Sequence, residues 1–159
     1  MTQRVYVPLD RAALDRLAAG ELGPPPLEGY AVTEALRRWY DEGGEPRADD
    51  ELLEAVAAAL AAQASLAGMD AAGSARLVAA VDVSAVRLDE AVQPGRVCVD
   101  AAVPLRDVAA VLADSPEAAA DVRAAVSDPS DEHLDAVDRH SLAWWAPAEV
   151  ADLAALLTV

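Results

Sequence analysis

The stretch "RLVAAVDV", Arg76 to Val83, decides the fold. It is a Val-rich run, and a second one follows it, "GRVCVDAAV" from Gly95 to Val103, with Pro94-Gly95 in the loop between them. β-Branched content bounded by turn residues reads as strand. "VAAVLAD", Val108 to Asp114, reads as a third strand, and "SLAWWA", Ser141 to Ala146, as another. At the start of the chain "RVYVPL" alternates Val5, Val7 and Leu9 against Arg4, Tyr6 and Pro8, the period of a strand. These runs put a sheet in the fold.

Helices fill the intervals. Asp10 is placed to cap "RAALDRLAA", with Leu9 and Leu14 at the spacing of a hydrophobic staple and Gly20 as the stop. "ELGPPPLEG" is expected to be a loop, since three prolines remove backbone donors, and "YAV" a short strand after it. Thr33 caps "EALRRWYDE", which Gly43-Gly44 ends; Leu36, Trp39 and Tyr40 share one face of that helix. The longest helix runs from about Asp49 to Ala67, with acidic residues at its start. Leu52, Val56 and Leu60, four apart and flanked by Leu53, are its expected buried stripe. Ser115-Pro116 opens "EAAADVRAAV"; "EHLDAVDR" and "PAEVADLAALL" complete the helices. The order β-α-β-α-α-β-β-β-α-α-β-α implies one α+β or α/β domain over residues 1–159, a mixed β-sheet packed with helices. One echo, "VPLDRAALDRL" from Val7 and "VPLRDVAAVLA" from Val103, either marks related halves or is coincidence in an Ala/Leu-rich chain.

Composition narrows function by exclusion. The chain has no Lys, Ile, Phe or Asn, the residues of AT-rich codons, which points to a high-GC genome. Its net charge of −16 argues against non-specific nucleic-acid binding and against an anionic membrane surface, both of which need clustered cations. Solubility in a cytoplasmic setting accounts for such a surface, and so does selection of a basic partner. Cys98 is alone in an apolar run, so it forms no internal disulfide and reads as a buried thiol. No secretory signal and no transmembrane run is expected.

Enzyme signatures are weak. His133 and His140, seven apart, sit about 10 Å from each other on a continuous helix, too far to share one metal ion. Asp10, Asp82, Asp100 and Asp114 each fall near a strand end, where two or three carboxylates gathered by a parallel sheet hold Mg²⁺. That is the basis for the alternative function, a small Mg-dependent hydrolase. No Gly-rich phosphate loop exists, and none of the serines, from Ser65 to Ser141, lies in GxSxG. No catalytic residue, metal ligand or cofactor is assigned.

The blocks "RVYVPLDRAALDRLAAGELGP", "AVTEALRRWY", "VPLRDVAAVLAD" and the closing "WWAPAEV" resemble, in order, a family of small, acidic, functionally uncharacterised actinobacterial proteins. The resemblance brings no activity and no catalytic residue. The family pattern often has Tyr as the second closing aromatic, so Trp145 keeps the ring and drops a hydroxyl.

The aromatics remain. In a strand Leu142 and Trp144 share one face, and Ser141, Ala143 and Trp145 the other. Trp144, beside Leu142, is expected in the core. Trp145 is either core, if helices cover both sides, or an aromatic anchor for a partner; Trp39 and Tyr40 make a weaker case of the same kind. The leading expectation is a non-enzymatic cytoplasmic domain that binds another protein or regulates it.

Overall fold

The computed structural model describes residues 1–42 and 49–157. Its strands and helices, in chain order, are β1 (Gln3–Leu9), α1 (Arg11–Ala18), β2 (Glu21–Leu22), β3 (Leu27–Tyr30), α2 (Glu34–Glu42), α3 (Asp50–Ala67), β4 (Leu77–Val83), β5 (Arg87–Leu88), β6 (Arg96–Val99), β7 (Val103–Pro104), β8 (Val108–Asp114), α4 (Ala119–Ser127), α5 (Asp131–Asp138), β9 (Leu142–Trp145) and α6 (Val150–Leu156). Seven strands form one sheet in the order β5-β6-β3-β1-β4-β8-β9, and β2 pairs with β7 apart from it. The class is α+β. Every pairing is antiparallel, including those of a sheet expected to be mixed in direction. Leu77 to Val83 of the Val-rich run form β4, paired residue for residue with β1 from Leu9↔Leu77 to Gln3↔Val83 and with β8 on its other side.

Each face of the sheet has its own cover. On one, Val5, Val7, Leu9, Leu77, Val81, Val97, Val99 and Val111 meet Leu14 and Leu17 of α1 and Val150 and Leu153 of α6. On the other, Tyr6, Tyr30, Val78 and Ala80 meet Leu36 of α2 and Ala57, Ala61 and Ala62 of α3. A smaller cluster of Ala118, Val122, Ala125 and Val137 joins α4 to α5 at the end of α3.

The face α3 buries differs from the one expected. Leu53, Ala57, Ala61 and Ser65 point inward, while Leu52 is 43% exposed and Val56 and Leu60 only flank the contact. Both sets repeat every four residues, so spacing alone does not choose between them. Alanines let the helix axis come close to the sheet, and the larger side chains are then forced to the sides. Ser65 makes the close approach specific. Its Oγ donates to the Leu9 carbonyl and accepts from Leu77 N–H, both at 3.0 Å, tying α3 to the paired ends of β1 and β4.

The helix starts follow their capping residues. Asp10 accepts from Ala13 N–H at 2.7 Å, Thr33 from Leu36 N–H at 3.1 Å, and Asp49 from Leu52 N–H at 2.8 Å. Ser115 stands at the expected boundary, but its side chain makes no capping bond, and a short 3-10 turn from Pro116 to Ala118 leads into α4. The stop at Gly43-Gly44 lies outside the described residues. The segment expected to be all loop, "ELGPPPLEG", carries β2 and the start of β3, so the strand expected at Tyr30–Val32 instead ends at Tyr30. Pairing of Leu27 to Tyr30 with Val99 to Arg96 outweighs the nearby prolines, because the proline run stops at Pro26. Gly29 fits this strand against β1. A Cβ there would stand 2.7 Å from Val5 Cγ1 and 2.9 Å from the Tyr6 carbonyl oxygen.

The echo between Val7 and Val103 is not structural. The first copy turns from β1 into α1, and the second runs through β7 and a 3-10 turn into β8. Asp10 caps the first, whereas Arg106 holds the corresponding place in the second and has no acceptor to offer. Val108 and Val111 then favour strand.

Candidate functional site

Among the described residues β9 is an edge strand, paired only with β8, and the closing aromatics lie on it. Trp145 stands opposite Val111 and packs, half-buried, against the main core beneath α6. Trp144 stands opposite Leu112, on the face covered by α3, and is 65% exposed. This corrects the expectation that Trp144 is core. The pairing of faces is as expected, since Leu142 packs against the second cluster on Trp144's side. What fails is the cover. α3 lies over β3, β1 and β4, and Trp144 stays exposed beyond it. Trp39 is 51% exposed on α2 and Tyr40 is half-buried. Leu36 of α2 packs near Ala31 and Gly95, toward the β3–β6 side, so Trp39 and Trp144 belong to different parts of the surface.

The four strand-end carboxylates do not gather into one site: β1, β6 and β8 run one way and β4 the other, and each carboxylate is taken up by its own partner, although Asp82 and Asp100 line one hollow. Asp10 caps α1. Asp82 accepts from Arg4 Nε and Nη2 at 2.7 and 3.2 Å, and Asp100 accepts twice from Arg87 at 3.0 Å. That pairing holds the Asp100 carboxyl below the usual carboxylate range, and the neighbouring Asp82 raises the Arg4 guanidinium. Among the described residues no three His, Cys, Asp or Glu side chains are grouped so as to hold a metal ion. His133 Nδ1 donates to the Asp128 carbonyl and His140 Nε2 to the Asp121 carboxylate, both at 2.7 Å. Cys98 is buried in β6, its sulfur 3.8 Å from an Asp89 carboxylate oxygen.

Asp114 has the most enclosed environment of the four. Its side chain has no exposed surface, and Arg76, buried at the start of β4, grips it from the next strand. Arg76 Nε and Nη2 donate to the two carboxylate oxygens at 2.9 and 2.8 Å, and the Arg76 backbone N–H adds a third bond at 2.8 Å. Nη2 also donates to the carbonyls of Val137 and His140, at 3.3 and 3.0 Å, which anchors the turn between α5 and β9. Breaking one partner of such a buried pair costs about 3–5 kcal/mol, because the other charge is left uncompensated.

Above this pair a cavity of about 490 Å³ opens between α3, α4 and α5, walled by Leu66, Met69, Val126 and Leu134, with Arg76 and Asp138 contributing its charged groups. Asp114 was legible as a strand-end carboxylate, but Arg76 was not singled out. One signal was available: an arginine directly preceding the run of apolar residues that forms the inner strand.

No helix among the described residues is long and apolar enough to cross a membrane. Neither the curated proteins nor the solved structures supplied a match to the chain. Residues 3–154, from the first residue of β1 into α6, match the profile of a family of unknown function (DUF6912), and the chain belongs to that family.

Proposed function

We propose that the protein is a non-enzymatic, cytoplasmic binding domain that recognises a basic, extended segment of another protein along β9, with Trp144 as its aromatic anchor. The observation that carries this reading is a tryptophan 65% exposed on a strand whose outer edge has no neighbour among the described residues. An edge strand presents unpaired backbone donors and acceptors on which a further strand can add. Tryptophan is the side chain most often found to dominate interface energetics. The net charge of −16 selects for a cationic segment and speeds its approach. The alternative, a carboxylate-dependent hydrolase, is less well supported, because Asp10, Asp82, Asp100 and Asp114 are already engaged in capping or ion pairing.

The test compares proteins captured from the native host by wild type, by Trp144→Ala and by Trp39→Ala, each first checked by thermal melting. A basic protein retained by wild type and Trp39→Ala but lost with Trp144→Ala is the expected result. Equal capture by wild type and Trp144→Ala would overturn the assignment to β9.

A further inference from the structure

Backbone groups alternate in direction along a strand, so the hydrogen bond of one residue fixes the direction of its neighbours. The Asp114 N–H, at the end of β8, donates to the Arg76 carbonyl on the β4 side at 3.1 Å. Ala113 and Val111 therefore turn their N–H and C=O groups toward β9, where Ala143 and Trp145 stand opposite them. Ala143 and Trp145 in turn face β8, which leaves the backbone groups of Leu142 and Trp144 pointing out from the open edge. Ala146, two residues further on, must point the same way. Its N–H is indeed found on the Glu149 carboxylate, with Oε2 at 2.8 Å.

The open ladder is thus short and has a defined end. Leu142 and Trp144 present its donors and acceptors, and Glu149 occupies the next place along. A segment added antiparallel, as in every other pairing of this sheet, makes two backbone hydrogen bonds with each of those two residues. The residue of the segment opposite Ala146 then meets a carboxylate in place of a backbone donor.

Glu149 is exposed, and its other oxygen, Oε1, makes no hydrogen bond among the described residues. Residues 141–148 carry no charge, so this carboxylate is the first charged group after the aromatic anchor. The overall −16 draws a cation toward the molecule without saying where along the edge it should lie. Glu149 supplies that place.

Resting on the reading of β9 as a docking edge, we infer that Glu149 sets the register of the bound segment. The segment runs antiparallel to β9 and carries a basic residue two places before the one opposite Trp144, its charge paired with Glu149 Oε1. Capping the Ala146 N–H needs only a side-chain oxygen, which glutamine also offers. Glu149→Gln therefore keeps the end of the strand in place and removes the charge alone.

The probe is the peptide acetyl-Arg-Thr-Val-Thr-Val-Thr-amide, whose valines fall opposite Trp144 and Leu142. Two controls accompany it, the same peptide with citrulline for arginine and the peptide of reversed sequence, which puts the arginine at the other end. Titrations on the full chain read affinity, and amide hydrogen exchange reads the register. The arginine peptide is expected to slow exchange at Leu142 and Trp144, while Ala143 and Trp145 are slow with or without it. It should bind wild type about fivefold more tightly than either control, the upper end for a partly exposed ion pair. Glu149→Gln should melt like wild type, hold the citrulline peptide equally well and lose the preference for arginine. Trp144→Ala should weaken all three peptides at least about tenfold. The assignment to Glu149 is overturned, with the β9 reading intact, if the three peptides bind wild type equally through Trp144, if the reversed peptide binds best, or if the preference survives Glu149→Gln. Binding of none of them, or binding that leaves exchange at Trp144 unchanged, overturns the docking edge itself and this register with it.

Discussion

The two faces of the sheet solve the same packing problem with different side chains. Beneath α1 and α6 the contact is made by valines and leucines from both sides. Beneath α3 it is made by Ala57, Ala61 and Ala62 against Val78, Ala80 and two tyrosines. The first face gains by apolar area, so its stability scales with the carbon buried. The second gains by closeness, so its tolerance is set by how little can be added. Alanine content therefore contributes to this core in a way that a count of hydrophobic residues does not convey.

Truncation on the leucine face should have the largest effect. Leu14→Ala should lower unfolding free energy by about 2–5 kcal/mol in denaturant melts, since Leu14 is fully buried. A loss under about 1 kcal/mol would mean α1 contributes little to the core. On the alanine face the informative change runs the other way: Ala61→Leu should cost about 1–3 kcal/mol by overpacking. A stabilised Ala61→Leu variant would show slack between α3 and the sheet and would break the comparison. At the outer end of that same face the cover is missing, and Trp144→Ala should stay within about 0.5 kcal/mol of wild type, as surface changes do.

The smallest effect sharpens the picture from inside the alanine face. Burial, reinforced by the charge of Glu54, raises the Tyr6 phenol above its ordinary value near 10. The folded state therefore holds this proton more tightly than the unfolded chain. The resulting stabilisation is present below pH 10 and is lost as pH rises through the folded-state value. Absorbance titration of wild type against Tyr6→Phe should show one late-ionising phenol removed by the substitution.

Much of this was legible in the sequence, and the failures share a cause. Strand content, helix starts at Asp10, Thr33 and Asp49, and the α+β class follow from local signals, because caps and β-branched runs act over a few residues. Trp144 and Leu52 were misplaced because burial depends on what lies across from a residue. Leu142 and Trp144 share a face, yet only the inner one is covered. The Leu52 and Leu53 registers are equally periodic, and only docking on the sheet selects the second. Arg76 was missed for the same reason: its partner lies 38 residues away. The candidate cavity needed three helices in place before it existed.

The hydroxyl of Ser65 has a consequence for the order of folding. Its two partners, Leu9 and Leu77, lie 56 and 12 residues away, and they become neighbours only when β1 pairs with β4. Until then the hydroxyl has no such pair to bridge, so seating of the C-terminal half of α3 belongs after that long-range pairing and late on the path. Contacts formed late slow unfolding and leave the folding rate alone. Ser65→Ala should therefore steepen the escape from the native state, raising the unfolding arm of the chevron while the refolding arm overlays that of wild type.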